Sequence, residues 1–215
     1  MFQRLQRSLD LQTEVGKKIS IHIGVLSLQG CIQPHEPHLK ALGATFVEVK
    51  TKEDLNQIDG LILPGGESTS ILKLIDLFSL ETDLMKTFNQ VPTWGICAGA
   101  ILMARKVASP KQKSFKILNI TVQRNSYGRQ SDSFNTEIDG YCVSFIRAPK
   151  INWVGPEIHV LARYNQEPVW VSYGHWMAST FHPELNSNTP SPMHRQFFES
   201  VVKHAQSKIG PKKLR

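Results

Sequence analysis

Cysteine is scarce in this 215-residue chain. Only Cys31, Cys97 and Cys142 occur, too few and odd in number for a disulfide framework, with no zinc spacing. Thiols used this sparingly point to a reducing compartment, the cytoplasm. Long apolar runs are missing as well. The longest, Val91 to Ala104, is interrupted by Pro92, Gly95 and Gly99 and falls short of the roughly 18 residues that a membrane span needs. The first twenty residues have no apolar stretch and no small-residue cleavage site, which argues against a secretory signal. Repeats and low-complexity linkers are absent, and Pro64-Gly65-Gly66 lacks the spacing of a nucleotide P-loop. His35 and His38 form an H-x-x-H pair without a third ligand at suitable spacing, so they read as two histidines on a short helix near the mouth of a site. No metal and no cofactor are expected.

An ordinary globular balance is present: 40% hydrophobic and 20% charged residues. The one oddity is a net charge of +7, whose first reading is a nucleic-acid or acidic partner. Its distribution removes most of that reading. Residues 1–20 carry four basic and two acidic side chains, residues 203–215 carry five basic and none acidic, and the rest holds 16 of each sign. The chain divides accordingly into an extension (1–18), one domain (19–206) and a basic tail (207–215).

Strands are expected at Ile19–Leu28, Thr45–Val49, Gly60–Leu63 and Val91–Gly95, where short β-branched or apolar runs end at glycine or proline. Helices are expected at His35–Leu42, Lys52–Asn56, Ser68–Leu77, Glu81–Asn89 and Ala98–Lys106. This alternation predicts an α/β domain with a mainly parallel sheet. Further strands at Ile117–Gln123, Tyr141–Ile146, His159–Tyr164, Pro168–Ser172 and Trp176–Phe181 predict an antiparallel or mixed part, before a closing helix at Met193–Gln206.

The sharpest local signal is Gly95-Ile96-Cys97-Ala98-Gly99, placed where a strand passes into a helix. G-x-C-x-G is the cysteine form of a nucleophile elbow, and the following helix N-terminus favours a thiolate. A buried cysteine beside packing glycines is the plainer alternative. A nucleophilic thiol needs a base and an orienting acceptor. His182-Pro183-Glu184 offers both, since alternate residues of an extended segment face the same way. Between another strand and helix, Pro64-Gly65-Gly66-Glu67-Ser68-Thr69 can turn backbone N–H groups of Gly65 and Gly66 toward a developing oxyanion. The Ala98 N–H is the second donor expected of an elbow. Ser68 or Thr69 can at the same time cap the helix.

GVLSLQG (24–30), DGLILPGGES (59–68), GICAG (95–99), RNSYGRQSDSF (124–134), FIRAP (145–149) and FHPEL (181–185) occur in this order. Together they resemble the glutaminase subunits of pyridoxal 5′-phosphate synthases, within the class I, triad-type glutamine amidotransferases. The resemblance implies a three-layer, flavodoxin-like mixed sheet flanked by helices. It implies Cys97 as nucleophile, His182 as base and Glu184 as its orienter. It implies Gly66, Glu67, Ser68, Arg124, Ile146 and Arg147 at the glutamine, and Gln29 near the oxyanion turn. Arg124 and Arg147 are alternatively structural, paired with Asp132 or Glu137. The implied partners are L-glutamine and a synthase subunit that receives ammonia in a large hetero-oligomer, with neither nucleic acid nor membrane. The sequence departs from the family pattern in its N-terminal extension, in a short 134–145 segment, in Ile96 and in Lys150. Two other readings remain: a glutaminase of imidazole glycerol phosphate synthase type, and a non-catalytic binding module on the same fold.

Overall fold

A computed structural model describes residues 20–124 and 133–209. The extension, most of the RNSYGRQ segment and most of the basic tail lie outside them. The first half follows the expected alternation closely: β1 (His22–Leu26), α1 (His35–Ala41), β2 (Thr45–Val49), α2 (Lys52–Leu55), β3 (Gly60–Leu63), α3 (Ser68–Leu77), α4 (Glu81–Gln90) and β4 (Thr93–Ile96). The next helix is shorter than expected. α5 covers only Ala98–Met103, and Ala104–Ala108 is a strand, β5, paired in parallel with β6 (Leu118–Gln123). Pairing with β6, through a register shift between Ala104 and Lys106, draws these residues out of the helix. Sequence reasoning also passed over β7 (Phe134–Ile138) and β9 (Lys150–Val154), which flank β8 (Tyr141–Phe145). The remaining strands are β10 (His159–Tyr164), β11 (Glu167–Tyr173) and β12 (Trp176–Ser179). The last helix, α6, begins at Pro192 and continues to Ile209, three residues past the expected end of the domain.

Seven strands form one mixed sheet in the order β10-β11-β12-β4-β3-β1-β2. β2, β1, β3, β4 and β12 run parallel, while β10, β11 and β12 pair antiparallel. Alternation along β3 shows how the layers arise. Leu61 and Leu63 face a core with Ile71 and Ile75 of α3, Leu84 and Phe88 of α4, and Leu102 of α5. Ile62 faces the opposite core, with Leu39 of α1 and Phe197 and Val201 of α6. A two-faced apolar sheet must be covered on both sides, so helices flank it in three layers. β5-β6-β9 and the β7–β8 hairpin form two small additional sheets. Among the described residues, no helix is long and apolar enough to cross a membrane.

Candidate active site

β3, β4 and β12 all end on the same edge of the large sheet, and each delivers one part of the site. At the end of β4, Cys97 adopts φ 49° and ψ −99°, a conformation L-residues rarely tolerate. Close packing enforces the turn. A Cβ on Gly99 would lie 2.1 Å from the Leu63 carbonyl oxygen, and one on Gly95 would lie 2.6 Å from the Gly99 backbone. The Cys97 N–H donates to Ser179 O at 2.8 Å, so β12 pins the elbow. Such strain costs about 1–3 kcal/mol. Cys97→Gly is therefore expected to be about 1 kcal/mol more stable than Cys97→Ala in urea unfolding; equal midpoints would mean that the elbow is unstrained.

Beyond β12, Thr180 and Phe181 lead to His182, and Pro183–Leu185 form a single 3-10 turn. The expected extended His-Pro-Glu segment is corrected here. Pro183 occupies the first turn, where its missing N–H removes no bond. The turn brings Glu184 Oε1 within 2.7 Å of His182 Nδ1. Both side chains are buried. Burial opposes protonation of His182, but the Glu184 carboxylate and the Cys97 thiol outweigh it and hold the imidazole well above its ordinary pKa. Burial likewise opposes ionisation of Glu184, and His182 overcomes it, so the carboxyl stays below its ordinary value. Cys97 is close enough to His182 to help hold it protonated, and its Sγ is 3.9 Å from Ile146 O. Backbone bonds between His182 and Ser144 of β8 (2.8 and 3.3 Å) tie the turn to the β7–β8 hairpin.

Beside Cys97 lies a small, partly open cleft. Gly66, Glu67, Ser68, Arg124, Ile146 and Arg147 all line it, together with Cys97 and Ile101. All six residues expected at a substrate are thus brought together. Ile101 is one turn along α5 from the nucleophile and was not anticipated, although i+4 spacing on that helix is a usable signal. Arg124 Nη2 donates to Glu67 Oε1 at 3.0 Å; Asp132, one of its two alternative partners, lies outside the described residues. Burial opposes ionisation of Glu67, yet hydrogen bonds from Thr69 and the charges of Arg124 and Arg147 hold its carboxyl below its ordinary value.

The glycine turn sits against the imidazole: a Cβ on Gly65 would lie 2.1 Å from His182 Cε1. The Gly65 carbonyl accepts from the Cys31 N–H at 2.9 Å, which fixes the peptide plane that also carries the Gly66 N–H. Gln29 Oε1 accepts from the Glu67 N–H at 2.9 Å, placing Gln29 beside this turn as expected. Ala98 opens α5, so its N–H lies in the first turn without an intrahelical acceptor. Glu67, not Ser68 or Thr69, caps α3, its side chain accepting from Thr69 N.

Two features had no local sequence signal. Cys31, which reads as an incidental thiol, lies against His182. His35 and His38 are not at the mouth of the site but are buried below the triad with His194. His35 Nδ1 is 2.9 Å from His194 Nε2, the His38 and His194 rings stack with centroids 4.3 Å apart, and His38 Nε2 is 3.4 Å from Glu184 O.

This trio makes stability depend on pH. Burial lowers the pKa of all three, His35 to about 4 and His194 well below its ordinary value. Below pH ~6.5 the unfolded chain protonates these histidines while the folded chain resists, so folding is penalised as pH falls. His182 is shifted the other way, and its contribution disappears only as pH rises through its folded value. The urea midpoint is therefore expected to drop between pH 6.5 and 5, with a limiting slope of about 3 kcal/mol per pH unit from His35 and His194 and a smaller part from His38. A flat profile over that range would contradict neutral burial of the trio.

The strained elbow, the buried His–Glu pair and the cleft at one sheet edge together supply a nucleophilic thiol, a base and an orienting acceptor, the parts of acyl transfer through cysteine. The chain belongs to the SNO glutamine amidotransferase family, whose model matches residues 25–203. It is 41% identical over 187 residues to the "Pyridoxal 5′-phosphate synthase subunit PdxT" of Thermotoga petrophila, covering 83% of this chain and 98% of that protein. It is 45% identical over 192 residues to the protein of that name from Pseudothermotoga lettingae, covering 85% and 97% respectively. A solved structure described as a glutamine amidotransferase superposes with TM-score 0.75 at 40% identity, covering 84% of this chain and 98% of the other. The structure of PurLQS from Thermotoga maritima, at 14% identity and TM-score 0.56, shares the fold.

Proposed function

We propose that this chain is the glutaminase subunit of a pyridoxal 5′-phosphate synthase and works in the cytoplasm. The observation that carries the chemistry is the Cys97–His182–Glu184 constellation opening onto the Glu67–Arg124–Arg147 cleft. The names of the relatives support the assembly.

In this reading the Cys97 sulfur attacks the glutamine γ-carbonyl carbon, forming a C–S bond and an oxyanion. The N–H groups of the Gly65–Gly66 turn and of Ala98 receive the oxyanion. Donors preset toward developing charge stabilise the transition state without reorganising. His182, held as imidazolium by Glu184 and Cys97, gives its proton to the leaving nitrogen. Ammonia departs and a γ-glutamyl thioester remains. The neutral imidazole then takes a proton from water as the hydroxyl adds to the thioester carbon, and collapse releases glutamate and the thiolate. Throughout, Glu184 keeps Nδ1 protonated and the ring oriented. Planar guanidinium groups at Arg124 and Arg147 suit the α-carboxylate of glutamine, and Glu67 suits its α-ammonium.

Free ammonia is protonated in bulk water and lost as a nucleophile, so the product has to pass directly to a synthase subunit. The Gly65–Gly66 peptide is held by the Cys31 N–H, on the loop after β1. A partner seated on that loop would set the donor geometry, which makes hydrolysis depend on the complex. The test is glutamate release by this chain with and without its synthase subunit. Strong stimulation by the partner is expected. Vigorous, equal rates alone would contradict the coupling, and no release even with the partner would overturn the assignment.

A further inference from the structure

Cys31 is a second thiol at the triad, and the reaction above has no use for its side chain. Its Sγ, a ring nitrogen of His182 and a carboxylate oxygen of Glu184 all lie within 4.8 Å of one another. The two partners are buried and Cys31 is partly exposed. One oxygen of Glu184, Oε2, is buried without any hydrogen-bond partner. An orphaned buried carboxylate oxygen is costly and signals a missing donor or cation. We propose that Cys31, His182 and Glu184 form a binding site for a soft divalent cation of the zinc type, which shuts off the glutaminase when occupied.

The donor chemistry selects the ion. One thiolate, one imidazole and one carboxylate suit zinc or cobalt, whereas magnesium and calcium take all-oxygen sets. Zinc bonds of about 2.0–2.3 Å in a tetrahedron place neighbouring ligand atoms about 3.3–3.6 Å apart. Three atoms already lie within 4.8 Å, and because His182 Nδ1 and Glu184 Oε1 are 2.7 Å apart, the ion takes the place of the proton between them and opens that pair by about 0.6 Å. The fourth position is left to water. Binding releases the thiol proton of Cys31 and the extra proton of His182, so affinity falls as pH falls. The bound ion takes the nitrogen lone pair and the carboxylate that proton transfer requires. The inhibitory consequence rests on the assignment of His182 as the base; the existence of the site does not.

Cobalt(II) added to the full chain gives a probe independent of activity. A thiolate-to-cobalt charge-transfer band with the visible bands of a tetrahedral ion is expected at one equivalent. It should persist in Cys97→Ala and vanish in both Cys31→Ala and Cys31→Ser, neither of which carries the thiolate that gives the band. Removing one of three ligands should raise the zinc dissociation constant about 100-fold, read by competition with a chromophoric chelator. In the complex with its synthase subunit, zinc should suppress glutamate release, reversibly by chelator, at concentrations that leave Cys31→Ala active relative to its own metal-free rate. No thiolate band, or an unchanged band and zinc affinity in Cys31→Ala, would overturn the site. A Cys31-dependent band with no Cys31-dependent inhibition would keep the site and overturn its regulatory role.

Discussion

Replacing Cys97 with alanine is expected to abolish glutamine hydrolysis, lowering kcat by about 10⁴-fold or more, as removal of a covalent nucleophile does in other hydrolases. Among the described residues lining the cleft, Cys97 carries the only thiol, and Cys31, although close to His182, is not one of them. Ser68, which also lines it, donates its hydroxyl to Gln112 Oε1 at 2.9 Å. The fold should survive the change, since alanine fits the small buried space and keeps the helix start. Binding to the synthase subunit should survive too, because Cys97 is only 5% exposed. The measurements are glutamate release and co-elution with the synthase. Loss of both would make Cys97 a structural residue, and retained hydrolysis would remove it from the chemistry.

The second large effect is at a glycine. Gly65→Ala places a Cβ 2.1 Å from His182 Cε1 and 2.9 Å from Nδ1. A flexible side chain could swing away, but this ring is buried and held at 2.7 Å by Glu184. Either the imidazole leaves that bond or the Pro64–Glu67 turn moves and takes the Gly66 N–H with it. Each route breaks one part of the reaction, so kcat is expected to fall about 10²–10³-fold, as for loss of an oxyanion donor or a misplaced base. The clash lies at the sheet's edge, between a turn and one side chain, so the melting temperature should shift by only a few degrees. Near-normal kcat in a folded variant would mean that the ring and the turn are far looser than their packing indicates.

Much of this was legible in the sequence because the first half of the fold is locally written. Gly60–Leu63 and Thr45–Val49 are short apolar or β-branched runs with glycine, proline or polar residues at their ends, and the structure forms strands over those ranges. The second half depends more on partners far away in the chain. Ala104–Ala108 follows a helix without a break, and only its pairing with β6 makes it a strand. β7 did leave a trace. Asp139-Gly140, with φ 52° and 71°, is the two-residue turn that joins β7 to β8. The nucleophile, base and acceptor were readable because each sits in a short motif whose turn chemistry is local. Cys31 and His182 are 151 positions apart, and His35 and His194 are 159 apart. Their meetings depend on the order of strands in the sheet, which no local pattern specifies. The Glu184 geometry shows a subtler limit. Pro183 allowed either an extended segment or a 3-10 turn, and both put Glu184 beside His182.

Glutamine labelled with ¹⁵N at its side-chain amide tests the central claim most directly. Pyridoxal 5′-phosphate has a single nitrogen, in its ring. This chain, with its synthase subunit, glutamine and the carbon substrates of that subunit, should produce pyridoxal 5′-phosphate carrying ¹⁵N even when unlabelled ammonium is present in the buffer. With Cys97→Ala the product should form only from added ammonium and carry no label. Unlabelled product from the unaltered chain, or labelled product from Cys97→Ala, would contradict the account.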